Sequence, residues 1–439
     1  MNVKSLFLRS TYWINDWLHG SLVRNQYLDI KRIQESHDGA KLKERHLNDI
    51  LSFAVENSTF YSKCDPHDLM SFPVVNKTVL RSNYDLIKVP EDRIPFQKGE
   101  VHIQHTSGST GTPFCVPQDT GKRIRRIAEL KYFGEIVGFK SHDPLVHLRI
   151  WTRWQNKSRL QSFRENIIAF DMSNLGENRL RELCQVINKK HVSCLRGYAS
   201  SFGLLARYVQ EHNIKLPSLK IIIAGSEALL DDVRDMVKTN IGCNIISQYA
   251  NEENGILAQE SISSDNREFY LNQASYNFEI LKMDSDEPAE FGELGRIVLT
   301  DYYNYAFPII RYDTGDLAIL EKGNKLSNGF PYFSRLYGRR LDLIYNTKGE
   351  PVSAMTLSRC LKYYPNILQW QFIQKEEMKY LLKIVLKKNS TLNESEIIKL
   401  LKETFGNDAE IIFEYVNEIP VLNSGKRKPV VCEYVKHAI

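Results

Sequence analysis

The run Leu219-Lys220-Ile221-Ile222-Ile223-Ala224 closes on Gly225-Ser226-Glu227, and its reading decides the fold class. A compact apolar run bounded by a turn signal is the pattern of a strand buried on both faces. Helical spacing follows over residues 229–239, and 244–249 reads as the next strand. Upstream, 179–189 carries Leu180, Leu183, Cys184 and Ile187 on one helical face, and 192–195 reads as a strand. Strands alternating with helices predict an α/β core with a largely parallel sheet over 120–260. Ligands of such sheets lie beyond the carboxyl ends of the strands, here at loops 225–227 and 249–253.

Moving outward, residues 41–57 place Leu47, Ile50, Leu51, Ala54 and Val55 at helical spacing. Near the start, Trp13, Trp17 and Leu18 suit an amphipathic surface helix, docking on the protein in preference to lipid. After about residue 335 the pattern changes. Residues 369–388 read as two strands joined near Glu376-Glu377. Asn393 and Glu396 form a capping pair for a helix carrying Ile397, Leu400, Leu401 and Phe405 and stopping at Gly406. A strand over 410–416 follows. The expected organisation is a large multi-sheet α/β domain over 1–337 and a small, mobile α+β domain over 338–439.

The 439 residues are 42% hydrophobic and 25% charged, the balance of a globular protein able to bury sizeable cores. A net charge of +5 is small for this length and demands neither nucleic acid nor a membrane surface. Basic and aromatic residues form no nucleic-acid module. The seven cysteines, at 64, 115, 184, 194, 243, 360 and 432, include no Cys-x-x-Cys pair. Reduced thiols in a cytoplasmic protein fit this usage. The early apolar run is broken by Lys4, Arg9 and Asp16, against a signal peptide, and no stretch is long enough to span a bilayer.

The chemistry centres on His105-Thr106-Ser107-Gly108-Ser109-Thr110-Gly111-Thr112-Pro113. Glycines let backbone N–H groups converge, and Ser/Thr hydroxyls add donors, so the loop suits phosphate oxygens. The Gly-x4-Gly-Lys spacing of the common P-loop is missing. Four segments join it in order: Gln248-Tyr249-Ala250-Asn251-Glu252-Glu253, Arg311-Tyr312-Asp313-Thr314-Gly315-Asp316, Gly338-Arg339-Arg340-Leu341-Asp342 and Ser424-Gly425-Lys426. A carboxylate beyond a strand can hold Mg2+ opposite phosphates, and an aspartate past a glycine turn can take a ribose diol.

These segments, in this order, resemble the adenylate-forming superfamily of acyl-CoA synthetases, peptide adenylation domains and luciferases. Within it the chain is most similar to the short phenylacetate–CoA ligase-like branch, which includes enzymes linked to capsular polysaccharide synthesis and a deazaflavin-adenylating synthetase. Phe60-Tyr61 and Phe72-Pro73-Val74-Val75-Asn76-Lys77 look like that group's early region. The resemblance implies ATP-dependent activation of a carboxylic acid to an acyl-adenylate with release of pyrophosphate. The acyl group would then pass to coenzyme A, or alternatively to an amine such as an amino sugar or amino acid. It implies that Thr106, Ser107, Gly108, Ser109, Thr110, Gly111 and Thr112 cradle the β- and γ-phosphates of ATP. By the same resemblance Ser226, Glu227 and Tyr249 border adenine, Glu253 binds Mg2+ and Asp316 holds the ribose hydroxyls. Arg339 would touch ribose or phosphate, and Lys426 would reach the α-phosphate and the acid.

The chain departs from the family pattern in two places. Ala250 stands where relatives have glycine, and Leu341 falls where many carry the hinge aspartate, although Asp342 is adjacent. Residues 257–280 contain neither cysteine nor histidine, so the structural zinc of some relatives is not expected. For the acid pocket the candidates are His147, Arg149, Trp151, Tyr198 and Ser200. The mixture of aromatics and cations over 147–159 suits a polar or anionic acid, but equally a packed core beside solvated cations. The identity of the acid, the acceptor and the oligomeric state, a homodimer included, stay open at this level.

Overall fold

The computed structural model describes residues 3–36, 38–105, 114–149, 158–171, 176–262, 267–339, 344–352, 354–361, 363–364, 366–420 and 428–434. The chain folds into two compact units, one of residues 1–143, 163–166 and 248–336, the other of 144–162, 167–247 and 337–439. The architecture is mixed α/β, with a small C-terminal α+β module.

In the first unit, helices Val3–Leu18, Leu22–Glu35, Gly39–Asn57 and Thr120–Glu135 accompany a predominantly antiparallel array of strands. Its order is Tyr276–Leu281, Leu294–Asp301, Tyr312–Glu321, Tyr332–Arg339, Phe269–Leu271, Gly255–Glu260 and the end of Asn244–Asn251. A separate two-stranded hairpin pairs His102–His105 with Cys115–Gln118. The helix expected at 41–57 spans Gly39–Asn57 and buries Ile50, Leu51 and Ala54. The first helix divides its aromatics: Trp13 packs edge-on against Tyr12 and Tyr27, while Trp17 and Leu18 stay exposed. Among the described residues no helix is long and apolar enough to cross a membrane.

The second unit holds four parallel strands, ordered Ile221–Gly225, Cys194–Tyr198, Leu145–Arg149 and Ile167–Asp171. Helices Glu177–Lys189, Ala199–Glu211 and Asp231–Met236 bury Leu183, Ile187, Phe202, Leu205 and Val233 against them. The parallel pattern stops there, because Gly255–Glu260 runs antiparallel to Asn244–Asn251. The strand expected at 192 begins at Cys194 instead. His191 takes a left-handed φ of 49°, and the Val192 N–H returns to the Ile187 carbonyl at 3.0 Å, so these residues end the helix. The helix expected over 229–239 likewise gives way at Val237 to a wider turn closed by Gly242.

The C-terminal module orders its strands Glu410–Tyr415, Lys379–Leu386, Ile367–Gln374 and Val430–Cys432. Phe372, Tyr380, Leu382, Ile397, Leu401 and Phe405 build its own core. Asn393 caps helix Glu394–Phe405 by accepting from the Glu396 N–H, and Gly406 ends it at φ 106°.

A partly buried polar cluster ties the helices of the first unit together. Asp29 takes the Arg125 guanidinium at 2.6 Å, the Tyr303 hydroxyl at 2.9 Å and the His46 ring at 3.3 Å. Burial pushes the Asp29 carboxyl up, but the His46 hydrogen bond and the Arg125 charge outweigh it and hold it well below the usual carboxylate range. The folded state therefore binds fewer protons here than the unfolded state, so this stabilisation is present above about pH 4 and drains away on acidification. Asp29→Asn is expected to cost about 2 kcal/mol at neutral pH and to flatten the loss of stability below pH ~4, read by denaturant titration at several pH values.

Candidate active site

The hydroxyl-rich loop, Thr106 to Thr112, lies outside the described residues, as do Trp151, Leu341, Asp342 and Lys426. The two ends of the loop are placed by the hairpin. His105 sits opposite Cys115 in register, with its Nδ1 3.2 Å from the thiol sulfur, so both ends leave from one point.

The carboxylate of Glu253 is held in the turn between Asn244–Asn251 and Gly255–Glu260. Gly255 restarts the chain at φ 129°, where a Cβ would meet Glu129 Oε2 at 2.9 Å, so glycine is required on both counts. The turn takes residues 252–254 out of the strand ladder, and side chains receive their carbonyls instead. Arg126 Nη1 donates to the Glu252 oxygen at 3.2 Å, Gln118 Nε2 to that of Glu253 at 3.0 Å, and the Tyr276 hydroxyl to that of Asn254 at 2.9 Å. Behind them Lys122 and Asp301 form a fully buried ion pair at 2.5 Å, and Asn254 Nδ2 donates to the same Asp301 oxygen at 3.1 Å.

The Glu253 side chain is 5% exposed as a residue, and Lys77 Nζ lies 2.8 Å from its Oε1. The Tyr312 hydroxyl donates to the same oxygen at 3.4 Å. Asp316 lies nearby on strand Tyr312–Glu321, where its Oδ2 accepts from the Tyr249 hydroxyl at 2.6 Å. Gly315 at φ 79° makes the turn that presents it, with its N–H on Asp313 Oδ1 at 2.9 Å. Burial, then the charge of Asp316 and the hydrogen bond to it, push the Tyr249 hydroxyl well above its ordinary value, so it acts as a neutral donor. Burial and then Glu253 do the same to Tyr312, which also feels Asp316. Arg311, held at a left-handed φ of 47°, pairs with Glu279 and donates to the Phe72 carbonyl, so its role in the motif is to shape the backbone.

The structure thus brings Tyr249, Glu253 and Asp316 into one cluster of the first unit. Sequence reasoning missed Lys77 as a site residue, although it had singled out the segment that ends on it. A lone surface-type lysine gives no signal that it reaches a carboxylate far along the chain.

In the second unit, Ser226 takes a left-handed φ of 65° at the end of strand Ile221–Gly225. Glu227 accepts from the Ser200 N–H at 3.0 Å, satisfying a free donor in the first turn of helix Ala199–Glu211. Glu227 and Ser200, assigned from the sequence to adenine and acid respectively, line one cavity of about 110 Å³ with Arg207, Asp232 and Trp370. Tyr198 ends strand Cys194–Tyr198; His147 and Arg149 are half-buried on strand Leu145–Arg149. Arg339 closes strand Tyr332–Arg339.

Comparisons with known proteins follow this geometry. Residues 344–433 match the family model of the CapK C-terminal domain. The chain is 26% identical over 432 residues to Protein CapK of Staphylococcus aureus, covering 92% of each chain. It is 23% identical over 393 residues to a phenylacetate-coenzyme A ligase of Thermus thermophilus, covering 83% of this chain and 82% of that one. The chain is similar to the phenylacetate–CoA ligase-like and CapK branch of the adenylate-forming superfamily. Among solved structures, 2-hydroxyisobutyryl-CoA ligase in the postadenylation state with an acyl-AMP superposes with a TM-score of 0.73 at 17% identity, covering 92% of this chain and 91% of that one. That likeness shows a shared fold.

Two consequences can be measured. Lys122→Met leaves Asp301 buried without its partner and is expected to cost about 3–5 kcal/mol in chemical denaturation. Tyr249→Phe removes a donor from Asp316 while keeping the ring, and is expected to weaken nucleotide binding by about tenfold in calorimetry with little change in stability.

Proposed function

We propose that this protein activates a carboxylic acid with ATP and passes the acyl group to coenzyme A. The carrying observation is the cluster of Glu253, Lys77, Tyr249 and Asp316 in the unit that also holds the hairpin of the hydroxyl-rich loop. One acidic group buried against a lysine suits triphosphate chemistry, and a second, fixed by a tyrosine, suits a ribose diol.

In the first step a carboxylate oxygen attacks the α-phosphorus of ATP, the bond to the bridging oxygen breaks, and pyrophosphate leaves with both electrons. In the second, a thiol sulfur attacks the acyl carbon of the mixed anhydride and AMP leaves. Residues Thr106 to Thr112 bind the β- and γ-phosphates. Asp316 accepts from the ribose hydroxyls, and Arg339 contacts ribose or phosphate. Lys77 and Lys426 offset negative charge as the triphosphate enters and the α-phosphorus is attacked. Positioning and charge compensation therefore supply most of the rate.

Mg2+ fits the donor set: among the described residues no group of three metal-ligating side chains exists, yet Mg2+ takes one or two carboxylates plus phosphate oxygens. Glu253 would hold it, and a bound divalent ion would withdraw charge from the phosphates. Residues 338–439 act as the small domain that delivers Lys426 and then makes way for the acceptor. Ser226 and Glu227 belong to the adenine side, and His147, Arg149, Trp151, Tyr198 and Ser200 to the acid pocket.

A second reading keeps the adenylate and gives the acyl group to an amine, consistent with surface-polysaccharide chemistry. Its support is the similarity to Protein CapK along the chain and over residues 344–433. ATP–pyrophosphate exchange screened over aromatic, hydroxy, amino and sugar acids tests the adenylation. Exchange dependent on one acid class is the expected result, and none across the panel defeats the reading. Mass analysis of products with coenzyme A against candidate amines separates the acceptors. Lys426→Ala and Glu253→Gln should each lower exchange by about 10²-fold while leaving thermal stability unchanged within ~1 kcal/mol.

A further inference from the structure

Gln118 is completely buried, yet it belongs to the hairpin that carries the hydroxyl-rich loop. Its Nε2 donates to the Glu253 carbonyl at 3.0 Å, and its Oε1 accepts from Arg126 Nη1 at 3.0 Å. Arg126 in turn donates to the Glu252 carbonyl at 3.2 Å. The amide orientation is over-determined: a flipped Gln118 would set its NH2 against the guanidinium and its oxygen against a carbonyl. The other hairpin strand reaches the same turn, because Gln104 Nε2 donates to Glu252 Oε2 at 2.9 Å. Helix Thr120–Glu135, which bears Arg126, starts directly after Gln118 and is capped by Asp119, whose Oδ1 accepts from the Lys122 N–H at 2.9 Å. Asp119 Oδ2 also accepts from the Tyr305 N–H at 2.7 Å, so this junction cannot shift without breaking buried bonds.

We infer that Gln104, Gln118 and Arg126 are positioning residues that strap the Glu252–Glu253 turn to the hairpin of His102–His105 and Cys115–Gln118, so that hairpin and carboxylate move as one body. The inference rests on the proposed role of Glu253. None of the three side chains needs to touch substrate. Their effect is to keep two separately built halves of a triphosphate site in register, where an error of about 1 Å costs rate steeply.

Gln118→Leu keeps the volume and deletes both bonds. In the nucleotide-free protein, hydrogen exchange of amides 250–256 should rise about tenfold, with no change in the C-terminal module. In ATP–pyrophosphate exchange, the Mg2+ concentration at half-maximal rate should rise by about tenfold or more while KM for the acid stays fixed. Placed in a Glu253→Gln background, Gln118→Leu should add nothing to the Mg2+ requirement. Gln104→Leu, at a more open position, gives the same direction with a smaller effect and decides the matter if Gln118→Leu does not fold. Wild-type hydrogen exchange at 250–256 in both variants, or an unchanged Mg2+ requirement, overturns the strap. A wild-type protein with no acid-dependent exchange overturns the adenylation reading, while the hydrogen-exchange comparison still judges the strap.

Discussion

Glu253 is a buried carboxylate on a turn held by side chains from several segments of the first unit. A carboxylate at 5% exposure is costly unless it is paired. Lys77 pairs it from one side, and the buried Tyr312 donates from another. The main chain of the turn is held independently of that side chain. The three carbonyls of residues 252–254 are each taken by a side chain from a different part of the unit, Arg126, Gln118 and Tyr276.

That division of labour explains the buried charges beneath the turn. Lys122 and Asp301 gain little net stability as a pair, since both lost their hydration. They fix geometry instead: Lys122 also reaches the Tyr276 hydroxyl at 3.2 Å, and Asp301 accepts from Asn254 and from the Tyr303 N–H. The pair thus connects helix Thr120–Glu135, strand Leu294–Asp301 and the Glu253 turn. Replacing one member would cost far more than the pair contributes.

How much of this was legible in the sequence depends on range. Spacing located the helix Gly39–Asn57, the strand at Ile221 and, in the C-terminal module, the strand pair Ile367–Gln374 and Lys379–Leu386, the helix Glu394–Phe405 and the strand Glu410–Tyr415, because those patterns repeat within a few residues. The helix Ala354–Leu361 and the strand Val430–Cys432 were not read from it. The antiparallel return at Gly255 was not legible, since pairing direction is a tertiary property that residue spacing within a strand does not encode. The motifs exposed Glu253 and Asp316, whose chemistry is written in residue type. Lys77, Gln118 and Arg126 escaped, because the Glu252–Glu253 turn they reach lies more than a hundred residues away and nothing local marks a glutamine as a strap. Glu227 adds a contact that has no sign in the sequence, since it also accepts from the Ser200 N–H.

The central claim is that one nucleotide spans the hairpin loop, the Glu253 turn and Asp316. A crystal structure with Mg2+ and a non-hydrolysable ATP analogue tests it most directly. The account predicts ribose hydroxyls on Asp316, the metal on Glu253 with Lys77 shifted onto a phosphate oxygen, and the terminal phosphates inside the 106–112 loop. A nucleotide bound elsewhere, with the Lys77–Glu253 pair intact, would contradict it.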